Sequence, residues 1–184
     1  MNIRHLLPAM VSSVFLLSGC VGHATSVPAL PVSSDGVVDA TSLDFTTTPL
    51  VIHIGFNHSE HTDPTFGPVY FYSPTVTGNA QVIRVLHGSK VVFLNDDPSN
   101  TEHTASGFGS VAFPKSFDNT SGTRRSGTTI NASLTWSTGG LVHGAKSQVF
   151  TVGPLGHYFF GCHFHYTTKP TTTNFSMGDV LVSM

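Results

Sequence analysis

Glycine and proline punctuate this chain too densely for long helices. There are 18 Gly and 11 Pro in 184 residues, and each one either frees or fixes the backbone where a helix would need continuity. The apolar runs between them are short. They read Val51–Phe56, Val69–Tyr72, Gln81–Val85, Lys90–Leu94, Thr129–Trp136, Ser147–Val152, Tyr158–Phe160 and Val180–Val182. Turn signals close several of these runs: Ser73-Pro74, His87-Gly88-Ser89, Asn95-Asp96-Asp97-Pro98, and Pro154 with Gly156. Charged residues make up 10%, against roughly 25% in an average globular chain. Ser, Thr, Gly, Phe and Val take their place, which favours strands. No internal repeat is visible. The expected fold class is all-β, a sandwich or barrel of short strands.

Charge narrows the partners. The formal net charge is -2, and no basic stripe could neutralise a phosphate backbone, so nucleic acid is not an expected partner. Eleven histidines stand against eight Lys and Arg, an excess of imidazoles that suits metal ligation or pH sensing.

The N-terminus reads as an export segment. Arg4 gives a positive start, and Leu6 to Leu17 is largely apolar but too short for a membrane-spanning helix. It ends Leu17-Ser18-Gly19-Cys20, which resembles the lipobox of bacterial lipoproteins. The resemblance implies that residues 1–20 are a lipoprotein signal peptide. Cys20 would be lipidated and would anchor the chain to a membrane without a transmembrane helix. Val21 follows it, which by the same resemblance favours a periplasmic protein sorted to the outer membrane. Residues 21–48, rich in Ser, Thr, Pro, Val and Ala, are expected to be a flexible tether, and residues 49–184 the folded domain. With Cys20 carrying lipid, Cys162 has no disulfide partner. A lone thiol in an oxidising compartment suggests a metal ligand.

Three stretches carry that suggestion further. Val91-Val92-Phe93-Leu94-Asn95-Asp96-Asp97 is followed by His103-Thr104. Gly156-His157-Tyr158-Phe159-Phe160 leads to a cysteine, and Cys162-His163-Phe164-His165 places an imidazole three residues after the thiol. Together they resemble the blue-copper proteins, the cupredoxins of plastocyanin type, across roughly residues 81–182. The resemblance implies a Greek-key β-sandwich and one copper ion cycling between Cu(I) and Cu(II). It implies His103 and His165 as imidazole ligands and Cys162 as the thiolate, a donor set acceptable to both oxidation states. Phe159, Phe160 and Phe164 would shield the ion. Asn95 and His163 are candidates for supporting the ligands rather than binding.

The chain departs from the family pattern at the axial position. Five residues beyond His165 stands Pro170, which has no ligating atom, and Tyr166–Ser176 is an insertion rich in Thr. The closing strand Gly178-Asp179-Val180-Leu181-Val182 leaves Met177 one place late for the usual axial methionine. Two readings follow: a bulge brings its sulfur to the metal as the axial ligand, or it packs near the strand start. A separate cluster, His53, His58 and His61, has a His-x4-His-x2-His spacing in a polar loop and is a candidate second metal site.

The function implied is electron transfer with an unidentified redox partner protein, not enzymatic turnover. No nucleophile triad, P-loop or dinucleotide glycine motif is present. Two alternatives stay open. One is a copper-sequestering or tolerance lipoprotein that also uses the His53/His58/His61 loop. The other is an open-site, red-copper-like protein whose irregular axial position admits water or a small ligand.

Overall fold

The structure, a computed structural model, describes residues 43–60, 62–63, 67–75, 82–110, 112–117, 122–133, 135–167 and 176–184. Cys20 and His61 lie outside the described residues. The described chain falls within one unit, Val38–Met184. Its strands are β1 (Leu50–Ile54), β2 (Thr62–Asp63), β3 (Gly67–Pro68), β4 (Phe71–Tyr72), β5 (Val82–Val85), β6 (Lys90–Asn95), β7 (Ser106–Gly107), β8 (Arg125–Ser126), β9 (Thr129–Ile130), β10 (Ser137–Thr138), β11 (Phe150–Val152), β12 (Gly156–Gly161) and β13 (Gly178–Ser183). A short 3-10 helix, Phe56–Glu60, follows β1.

Two sheets face each other. One has the order β4-β1-β6-β11-β9 and the other β5-β13-β12-β7-β10-β8, while β2 and β3 form a separate hairpin. The fold is therefore an all-β, two-sheet sandwich. Period-two burial explains the packing: in β1, Leu50, Ile52 and Ile54 point inward while Val51 and His53 are half-exposed. Aromatic rings join the layers. Phe160 of β12 meets Phe71 of β4 at 4.9 Å, Phe93 of β6 at 5.7 Å and Trp136 at 5.7 Å between ring centroids. Each fully buried Phe of this kind contributes on the order of 1.5–3 kcal/mol.

The folded chain is already in place ahead of residue 49. The Leu43 carbonyl accepts the Leu86 N–H at 3.3 Å, and the Phe45 carbonyl accepts the Lys90 N–H at 2.8 Å. Leu43 is buried there.

The run Thr129–Trp136, expected as one strand, is broken. Thr129–Ile130 pairs in parallel with β11 in the first sheet, and Ser137–Thr138 joins the second sheet beside β7. Between them the Asn131 side-chain oxygen accepts the Ser133 N–H at 2.9 Å and its hydroxyl at 2.6 Å. This local side-chain turn competes with the ladder and redirects the chain across the sandwich.

A candidate metal centre at one end of the sandwich

The upstream ligand is placed by the turn that ends β6. Asn95 closes it: its amide nitrogen donates to the carbonyls of Thr101 at 2.8 Å and Leu141 at 2.6 Å, and its oxygen accepts the Asp97 N–H at 3.0 Å. The loop folds back so that His103 forms a two-way backbone bridge with Leu141, with bonds of 3.0 and 2.8 Å. Asp97 then fixes the ring. Its Oδ2 lies 2.9 Å from His103 Nε2 and also accepts the Phe56 N–H at 2.9 Å, while Oδ1 accepts the N–H and hydroxyl of Ser99. A carboxylate only accepts, so His103 carries its proton on Nε2 and keeps a lone pair on Nδ1.

The downstream ligands follow β12. Cys162 is buried and its thiol is free. Its N–H donates to the Met177 carbonyl at 2.9 Å, and the Met177 N–H donates to the His165 carbonyl at 3.3 Å. The backbone of Met177 thus clasps both ends of the Cys162–His165 turn. Gly161 makes that approach available: a Cβ there would stand 2.6 Å from the Met177 carbonyl oxygen and 2.5 Å from the Phe108 ring.

The three side chains converge. Cys162 Sγ lies 3.3 Å from His165 Nδ1 and 3.8 Å from His103 Nδ1. All three ligand atoms fall within 4.8 Å of one another. A trigonal ion with metal–sulfur and metal–nitrogen bonds of about 2.3 and about 2.0 Å demands sulfur–nitrogen edges of ~3.7 Å. The observed edges bracket that value, so the donor set and its spacing both fit a single ion. Both imidazoles present Nδ1.

Electrostatics agree with ligation. Burial pushes the His165 imidazole down to about 4, helped by the neighbouring His103, so it is neutral near pH 7 with its lone pair free. Burial also lowers His103, partly offset by Asp97. Burial would raise Asp97, but hydrogen bonds from Ser99, Phe56 and His103 hold it well below the usual carboxylate range. Burial raises the Cys162 thiol, opposed mainly by the Thr104 N–H, which donates to Sγ at 3.4 Å. A bound cation reverses that cost by taking the thiolate directly.

Other expected residues find different places. Met177 is fully buried in the same core cluster as Cys162. His163 does not join the metal-binding group. Its N–H donates to the Thr104 hydroxyl at 2.7 Å, and its ring meets Phe117 edge-on at 4.9 Å. Of the phenylalanines expected to shield the ion, Phe160 lies in the sandwich core and Phe159 packs on Phe113, while Phe164 is partly exposed but meets the His165 ring edge-on at 6.2 Å. Phe56 stands nearer to both, its ring edge-on to His103 and to His165, each at 5.0 Å. Nothing near Phe56 in the sequence marks it, because the contact spans the molecule. His53 and His58 do approach each other, but their common neighbour is Asp96.

The fold and site together define a class: an all-β sandwich with a buried His2Cys group at the ends of two strands. No family model matches the chain, and no curated protein matches it. Among solved structures it is similar to the purple cupredoxin from Nitrosopumilus maritimus, with a TM-score of 0.39 and 14% identity over 73% of this chain and 99% of that one. It is similar to dithionite-reduced auracyanin from the photosynthetic bacterium Roseiflexus castenholzii, with a TM-score of 0.39 and 17% identity over 74% of this chain and 98% of that one. It is also similar to the copper-containing nitrite reductase of Thermus scotoductus SA-01, with a TM-score of 0.39 and 16% identity, where it covers 74% of this chain but only 22% of the reductase.

Proposed function

We propose that this protein is a cupredoxin-like electron carrier that holds one copper ion in a type 1-like site formed by His103, Cys162 and His165. The observation that carries the proposal is the convergence of Cys162 Sγ with two Nδ1 atoms at 3.3 and 3.8 Å. Copper held there supplies a one-electron Cu(I)/Cu(II) couple. The protein's part is to keep the donors still. Asp97 orients His103, the Met177 backbone clasps the Cys162–His165 turn, and Phe56 packs edge-on against both rings. Little then needs to move when the charge changes. His103 and Cys162 are fully buried, whereas His165 is half-buried and is the ligand best placed to pass an electron to a docked redox partner. Met177 is the candidate axial ligand, supported by its burial beside Cys162.

The proposal extends to location. The Leu17-Ser18-Gly19-Cys20 run supports a lipid-anchored periplasmic protein, with Cys20 acylated and the domain held at the outer membrane. Cys20→Ala is expected to move the protein from the membrane to the soluble fraction.

The deciding experiment is the visible spectrum of the Cu(II)-loaded protein beside Cys162→Ser. An intense thiolate-to-copper band, absent from the variant, is the expected result. A dominant band at much shorter wavelength would indicate a strong fourth ligand and an open tetragonal site. No thiolate band in the loaded protein would refute the assignment.

A further inference from the structure

His53, His58 and Asp96 form a second group whose ligand atoms all lie within 4.8 Å of one another. His53 is in β1, His58 is in the 3-10 helix that follows, and Asp96 is the residue after β6. Strand pairing brings them together: β1 runs parallel to β6 with Ile54 opposite Asn95. The Asp96 N–H also donates to the Ile54 carbonyl at 3.3 Å. One carboxylate therefore receives both imidazoles. His53 Nδ1 lies 2.7 Å from Oδ2, and His58 Nε2 lies 2.8 Å from Oδ1.

We propose that His53, His58 and Asp96 are a second metal site, separate from the thiolate centre, for a borderline divalent cation such as Cu(II) or Zn(II). Two imidazoles and a carboxylate are the donor set of open zinc sites, with a remaining position left for water. The group contains no sulfur, so it discriminates against Cu(I). The side chains are 29%, 11% and 29% exposed for His53, His58 and Asp96. The ion thus keeps solvent on one side instead of being fully desolvated.

The imidazoles are preset. The two rings stand at 76° to each other with centroids 5.8 Å apart, and His58 stacks on Tyr72 at 5.4 Å. Each ring also directs one nitrogen at the same carboxylate. On binding, the ion replaces the two N–H···O protons. Each ligating nitrogen must present a lone pair, so the single ring proton that now faces Asp96 moves through water to the other ring nitrogen, and the carboxylate stays ionised.

The site does not depend on the thiolate centre, and the test keeps the two apart. The full chain is titrated with Cu(II), with electron paramagnetic resonance counting tetragonal copper and the visible thiolate band counting the other centre. Two equivalents are expected, the second with nitrogen hyperfine structure and no thiolate band. His53→Gln and His58→Gln should each weaken that second equivalent at least tenfold while leaving the thiolate band intact, which also reports that the variant is folded. Asp96→Asn should do the same. Zn(II) added first should block the tetragonal signal. A single equivalent in the wild-type chain would overturn the proposal and leave the trio as a pair of hydrogen bonds. A second equivalent unchanged by all three substitutions would overturn it as well. Loss of the thiolate band alone would count against the electron-carrier proposal and leave this one standing.

Discussion

Asp97 shows how much of a metal centre one non-ligating residue can determine. It sets the His103 tautomer, and through the Phe56 N–H it holds the residue whose ring covers both imidazoles. Asp97→Asn keeps the volume but removes the anionic acceptor. Outer partners of this type are worth roughly 10- to 100-fold in metal affinity. A competition titration with a copper chelator should show a loss in that range, and an unchanged affinity would mean that the tautomer is set elsewhere. The motif Asn95-Asp96-Asp97 was visible in the sequence, yet its division of labour was not. Asn95 closes the turn, Asp97 serves the thiolate centre and Asp96 serves His53 and His58. Adjacent carboxylates look alike until their directions are known.

At the scale of elements, β12 and the turn after it tolerate the least change. Gly161→Ala would drive a Cβ into the Met177 carbonyl and the Phe108 ring. Overpacking of this kind costs about 1–3 kcal/mol, and here the strain falls on the clasp between Cys162 and His165. A lowered urea midpoint and a broadened thiolate band are the expected outcome. Trp136, beside β10 in the same sheet, supports that strand by meeting Phe160 and, across the sandwich, Phe93 and Phe150. Trp136→Ala should lower the unfolding free energy by about 3–5 kcal/mol, to be read from denaturant melts at equal m-value. The longer strands, β1, β6, β12 and β13, were evident as local apolar runs between turn residues, although only β1 alternates strictly and β13 is buried throughout. The two-residue strands β7, β8 and β10 were not. They have no period to detect and exist only because neighbouring backbone presents bonding groups.

For the molecule as a whole, acid and metal act in opposite directions. His165 titrates at about 4 in the folded chain against 6.5 for the free group. Between those values the unfolded chain binds the extra proton, so the metal-free protein loses stability as pH falls through that window. This contribution is complete above 6.5 and exhausted below about 4. Asp97, held low, extends the loss at still more acidic pH, through protonation of a carboxylate that is ionised when folded. Urea midpoints of the metal-free protein at pH 7 and pH 5 should therefore differ, with pH 5 the lower. Under the proposed function, copper would bind only the folded arrangement of three separated side chains and so stabilise by mass action. At free copper about 100-fold above Kd the gain is about 2.7 kcal/mol. Calorimetric melts with and without copper should show it, and Cys162→Ser should remove most of it.

The chain's own order of residues pointed to the β class through short apolar runs and turn residues, and its resemblance to the blue-copper proteins singled out His103, Cys162 and His165, which the fold brings within 4.8 Å of one another. Only the tertiary structure decided that Phe56 covers the site, that the run after Thr129 crosses between sheets, and that Asp96 joins His53 and His58. Those contacts join residues far apart in sequence. Their formation depends on which strands lie side by side, and that is settled by packing the two sheets, not by any one segment.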